Sequence, residues 1–180
     1  LELEDNAWSI GEIILGLYQV TGFLGQGGMG RVYKVRHLDW GVDLAVKTPL
    51  AELLAGSRGV ENFEREAETW VNLGLHPYTI SCYYVRRVND SPCVFAEYAA
   101  GGSLHDWIRD EHGGPGRPFH GRPAKALARI VDNGIQFARG VKNAHEHGLV
   151  PLDVKPAKVI MTPGRPAQGT ALGFSMAASQ

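Results

Sequence analysis

The residues Leu24-Gly25-Gln26-Gly27-Gly28-Met29-Gly30-Arg31-Val32 follow a GxGxxGxV pattern, and what comes next limits the folds open to this chain. Glycines let a backbone approach phosphates closely and turn its N–H groups toward them. The same spacing marks dinucleotide-binding folds, where the loop opens into a helix. Here Arg31-Val32-Tyr33-Lys34-Val35-Arg36 alternates polar with apolar, the period of a half-buried strand. A strand after the glycines disfavours the dinucleotide fold. With no Gly-Lys-Ser/Thr following, a Walker loop is excluded. A glycine hairpin between two strands remains, as a phosphate cradle or as an ordinary turn.

The neighbouring segments extend a β pattern. Tyr18 to Leu24 is short and rich in β-branched and aromatic residues, and Leu44-Ala45-Val46-Lys47 is a strand stopped by Pro49. Glu61 to Leu73 has helical spacing, with Phe63, Ala67, Trp70 and Val71 assigned to one face and Gly74 as the stop. Thr79 to Val88 and Cys93 to Tyr98 are two more strands around the loop Asn89-Asp90-Ser91-Pro92. Beyond Gly102 the pattern turns helical. Ser103 is an N-cap for Leu104 to Glu111, and Lys125 to His147 carries a broad apolar face including Ile130, Phe137 and Val141. The fold class is therefore α+β in two lobes: a five-stranded antiparallel lobe with one helix, then a partial helical lobe. The expected divisions are an extension over 1–17, an N-lobe over 18–99, a partial C-lobe over 100–161 and an irregular tail over 162–180.

Composition removes several function classes. The 180 residues are 44% hydrophobic and 21% charged, with a net charge of −1. Such a balance gives no support for binding nucleic acid or a membrane surface. Cys82 and Cys93 have no CxxC spacing, which argues against a zinc site or disulfide framework and fits a reducing cytoplasm. The acidic start lacks the basic residues of a secretory signal. The uncharged stretch 13–30 holds too many glycines and polar residues for a spanning helix.

A lysine one strand after the glycine loop, at Lys47, can pair with phosphates as a point charge, and it needs an anion to hold it. Glu66, on the following helix, is the candidate. In this order the residues resemble the protein kinase family, in particular bacterial Ser/Thr kinases, through GQGGMGRVYKVRH, HPYTI and VFAEYAAGGSL. The resemblance implies ATP as ligand, bound by Leu24, Gly25, Gly27, Gly28, Met29, Gly30, Val32, Ala45, Lys47 and Glu66. It further implies a hinge at Glu97, Tyr98 and Ala99 whose backbone bonds adenine, with a small gatekeeper at Ala96. It implies protein substrates phosphorylated on Ser or Thr.

The resemblance continues into a catalytic loop at Leu149 to Met161. There Asp153 matches the residue that accepts the substrate hydroxyl proton, and Lys155 the one that neutralises the γ-phosphate. Mg²⁺ is expected for the family, but Lys158 stands at the metal-binding Asn position. Ala171-Leu172-Gly173, thirteen residues beyond Lys158, stands where Asp-Phe-Gly is expected. Lysine is a donor without a lone pair when charged, so no metal ligand is assigned. The resemblance thus points to a kinase domain with impaired or absent catalysis; the alternative is a pseudokinase-like interaction or scaffold module.

Overall fold

The computed structural model of the chain describes residues 7–28, 30–54, 57–109, 122–151, 154–162, 169–172 and 176–178. The chain divides into two units, Leu1–Asn72 with Ser81–Tyr98, and Leu73–Ile80 with Ala99–Gln180.

The first unit is built on an antiparallel sheet. Its strands are β1 (Ile13–Ile14), β2 (Tyr18–Gly27), β3 (Gly30–His37), β4 (Val42–Pro49), β5 (Cys82–Val88) and β6 (Ser91–Glu97), in the order β1-β2-β3-β4-β6-β5. The sheet therefore has six strands rather than the five expected. The added strand lies in the segment expected as an extension: Ile13 and Ile14 pair with Gln19 and Tyr18. Leu15 and Gly16, at φ 53° and 66°, are the central residues of the turn between them, which Leu17 N–H closes by donating to Ile14 O at 3.0 Å. Asn89 and Asp90, at φ 47° and 61°, are the central residues between β5 and β6, so Ser91 and Pro92 belong to β6 and not to a loop.

Register sorts the side chains onto two faces. Phe23, Tyr33, Val46, Phe95 and Tyr84 stand opposite one another across five strands. They belong to the face whose core includes Tyr18, Val20, Val35 and Leu44. The next row, Gly25, Val32, Lys47 and Val94, lies on the other face because strand side chains alternate.

Two helices follow β4: α1 (Ala51–Leu54) and α2 (Ser57–Asn72). In α2 the buried residues Phe63, Ala67 and Trp70 stand at i, i+4 and i+7, and each large apolar side chain contributes about 1.5–3 kcal/mol by leaving water. Val71, expected on this face, is exposed, since i+8 falls on its flank. Glu66 at i+3 shares the inner face.

In the second unit α3 (Leu104–Arg109) starts at a reciprocal cap. Asp106 N–H donates to Ser103 Oγ at 3.2 Å, and Ser103 N–H to Asp106 Oδ2 at 2.9 Å. The helix α4 (Pro123–Glu146) buries Gln136, Gly140 and Ala144, while Leu127, Ile130, Val131 and Ile135 are exposed and Phe137 and Val141 are half-buried. Four short strands follow: β7 (Leu149–Pro151), β8 (Val159–Thr162), β9 (Gly169–Leu172) and β10 (Met176–Ala178). β8 pairs with β9 and β7 with β10, both antiparallel. The tail expected to be irregular thus contains two strands, held by backbone ladders that need no alternation of side chains. Met161 N–H also donates to Gly102 O at 2.8 Å. A Cβ on Gly101 would collide with Met161 O, so that position calls for glycine.

Candidate functional site

The glycine hairpin is shaped by two different demands. Gly25 adopts φ 150°, a backbone conformation open to glycine, and a Cβ on Gly30 would collide with Thr48 O. The fold itself therefore requires these two. Gly27 and Gly28 need neither a positive φ nor extra room, since a Cβ on either meets nothing within 4 Å. Their backbone faces open space at the tip, where Gly27 pairs with Gly30. Gln26 and Arg31 stabilise the hairpin across the strands through an Arg31 Nε to Gln26 Oε1 bond of 3.0 Å. Met29 lies outside the described residues.

Val32 stands directly opposite Gly25 on one side and Lys47 on the other. Two strand spacings separate the Gly25 and Lys47 backbones, about 10 Å. Lys47 Nζ donates to Glu66 Oε1 at 2.9 Å, and the two side chains are only 14% and 10% exposed. The ammonium also sits over the Phe63 ring, 5.4 Å from its centre. Phe63 was not foreseen in this role, although its place three residues before Glu66 signals the shared face. One Lys47 donor goes to Glu66, and Glu66 Oε2 is buried without a hydrogen-bond partner. Removing an ion pair from water is offset only by close contact and full hydrogen bonding. This pair is closely bonded but not fully satisfied, since one carboxylate oxygen has no partner.

The other expected residues of the first unit fall beside this row. Ala45 lies opposite Lys34 and Ala96, and its methyl and that of Ala96 leave the strand surface shallow. Val32 and Ala45 are half-buried and Leu24 is exposed. Glu97 ends β6: its N–H donates to Ser81 O at 2.9 Å, and its carboxylate accepts from Ser81 N–H at 3.4 Å. Tyr98 carries the Lys34 ammonium 4.5 Å from its ring centre, while Lys34 pairs with Asp43 at 2.9 Å. That contact raises the Lys34 pKa and lowers that of Asp43. Sequence reading passed over Lys34, whose signal is its place two residues beyond Val32 in the strand alternation.

Ala99 and the catalytic-loop positions belong to the second unit. Asp153 lies outside the described residues. Lys155 is exposed, and its carbonyl accepts the Lys158 N–H at 2.8 Å, closing a 3₁₀ turn over Pro156–Lys158. Ala171 and Leu172 are strand residues of β9, opposite Ile160 and Val159. Two of the three residues of the metal loop expected at 171–173 therefore lie within a strand, and Gly173 lies outside the described residues. The residues at these positions do not suit Mg²⁺: Lys158 repels a cation, and Ala171 has no oxygen in its side chain. Among the described residues no three His, Cys, Asp or Glu side chains cluster to hold a metal.

An antiparallel sheet with its glycine hairpin, and a strand lysine tied to a helix glutamate, define a protein-kinase-like fold. The chain belongs to the protein kinase domain family, whose model matches residues 18–175. It is 29% identical to serine/threonine-protein kinase pkn3 of Myxococcus xanthus, over 87% of this chain and 26% of that protein. It is 32% identical to Wee1-like protein kinase 1-B of Xenopus laevis, over 77% of this chain and 22% of that protein. The crystal structure of the Mycobacterium tuberculosis PknI kinase domain matches in fold with a TM-score of 0.65 and 24% identity, covering 93% of this chain and 62% of that one. The chain thus spans about a quarter of the length of these curated relatives. The family uses ATP and Mg²⁺ and acts on protein substrates. No helix among the described residues is long and apolar enough to cross a membrane.

Proposed function

We propose that this chain binds ATP on the Lys47 face of its first unit and is impaired in phosphoryl transfer. Backbone N–H groups of Gly25, Gly27, Gly28, Met29 and Gly30 meet the phosphates, and Lys47, held by Glu66, supplies their counter-charge. Leu24, Val32 and Ala45 pack against adenine, whose edge is read by backbone groups of Glu97, Tyr98 and Ala99. The observation that carries this reading is the 2.9 Å Lys47–Glu66 pair on the same residue row as Gly25, in a hairpin whose tip glycines the fold does not require. Calorimetric titration of the purified chain with ATP tests it.

In the transfer reaction Asp153 accepts the proton of a Ser or Thr hydroxyl and Lys155 offsets charge on the γ-phosphate. Impairment follows from Lys158 and from the missing carboxylate at position 171. Phosphoryl transfer depends on electrostatic stabilisation at fixed positions, and a displacement of about 1 Å costs roughly 100-fold. The second reading, a scaffold without catalysis, draws on the same two positions. Two buried, unpaired cysteines support a reducing, cytoplasmic setting.

A further inference from the structure

We propose that Trp8 is a positioning residue for the glycine hairpin, acting through Tyr33 from the face of the sheet opposite Lys47. The consequence for ligand binding rests on the nucleotide reading above; the effect on the hairpin does not.

The segment before β1 is laced to β2. Gly11 N–H donates to Val20 O at 2.8 Å, and Val20 N–H to Glu12 O at 2.9 Å. A closed turn sits just beyond: Ser9 N–H donates to Glu12 Oε2 at 2.8 Å, and Glu12 N–H to Ser9 O at 3.0 Å. That turn places Trp8. Its indole stacks on Tyr33 with ring centres 5.2 Å apart and planes 30° apart, and its backbone N–H donates to Tyr33 Oη at 3.2 Å. Tyr33 in turn meets Phe23 edge-on at 5.6 Å.

Phe23 and Tyr33 are cross-strand partners, and the β2–β3 register shifts immediately after them, between Phe23 and Gly25. They form the base of the hairpin, and past them come Gly25, Gly27, Gly28 and Gly30. Glycine-rich backbone has the most conformational freedom to lose, so the order of this tip depends on what fixes its base. On the reverse face that anchor is the Trp8–Tyr33–Phe23 stack. Phe23 is itself 53% exposed and gains its packing from Tyr33. Lys47, Ala45 and Ala96 lie on the opposite face and do not depend on Trp8. Loss of the stack should therefore loosen the phosphate cradle throughout and reach the adenine surface only at Leu24, leaving Val32, Ala45 and the β6 end in place.

The test compares the purified chain with Trp8→Ala and Trp8→Phe in two measurements. Hydrogen exchange should quicken at the amides of 24–31 in Trp8→Ala while β4 and β6 keep their protection, and Trp8→Phe should restore most of it. In titrations, ATP should bind Trp8→Ala about fivefold more weakly, the size of one lost aromatic contact, while adenosine changes less than twofold. Unchanged hairpin exchange overturns the proposal whether or not the chain binds nucleotide, as does equal weakening of ATP and adenosine. A parent chain that binds neither ligand overturns the nucleotide reading instead, and the exchange result then decides the role of Trp8. If Trp8→Ala does not fold, Trp8→Leu, which removes the indole but keeps an apolar side chain and the backbone N–H, carries the same exchange comparison.

Discussion

Lys47 Nζ lies 2.9 Å from Glu66 Oε1, joining β4 to α2 through a pair shielded from solvent. Breaking such a pair strands a charge, whereas replacing both partners with apolar groups does not. Glu66→Ala should lower the unfolding free energy by about 3 kcal/mol, and the double variant Lys47→Met with Glu66→Leu by much less. Urea denaturation of the three proteins checks this. Equal losses for the single and double variants would mean that the pair acts only through packing.

The glycines of the hairpin should separate into two kinds. Gly30→Ala drives a Cβ into Thr48 O and should destabilise the chain by about 1–3 kcal/mol. Gly28→Ala enters open space and should change stability by no more than about 0.5 kcal/mol, while weakening ATP binding severalfold. Thermal melts with and without ATP distinguish them.

Much of this was legible in the sequence because it depends on local period and spacing. Strand alternation located β3, the run Leu44 to Lys47 before Pro49 located β4, the i, i+4, i+7 positions of Phe63, Ala67 and Trp70 located α2, and the Ser103 cap marked the start of α3. What stayed hidden depends on pairing between distant segments. A two-residue strand such as Ile13–Ile14 has no measurable period, and β9 and β10 exist through backbone ladders to β8 and β7. Nothing in the sequence says that Trp8 stacks on a tyrosine 25 residues away. The Lys47–Glu66 pair was inferable from order along the chain, but the orphaned Glu66 Oε2 was not, because it is a property of packing.

Cys82 and Cys93 are buried free thiols, and burial pushes both pKa values up to about 12. Each unfolded thiol ionises near its ordinary value of 9.0, so the unfolded state releases protons first as pH rises. Stability should therefore be unaffected by these groups below about pH 9 and should fall between pH 9 and 12. At pH 8 a thiol reagent should modify both only as fast as the chain opens. Fast labelling of the native chain would contradict the burial.

Transfer of labelled phosphate from ATP to a general protein substrate should be at or near background. Lys158→Asn with Ala171→Asp should restore little, since Ala171 sits within β9 opposite Ile160 and not in a loop. Robust incorporation that disappears in Asp153→Ala would show that the chain is a working kinase despite these replacements.

The central claim is that the hairpin glycines and the Lys47–Glu66 pair form an ATP site. Calorimetric titration of ATP into the purified chain and into Lys47→Ala, each with and without Mg²⁺, tests it most directly. The account predicts that the parent chain binds ATP with little dependence on Mg²⁺ and that Lys47→Ala binds at least tenfold more weakly, about 1.4 kcal/mol. Equal ATP affinity in the two proteins, or no binding by the parent chain, would contradict it.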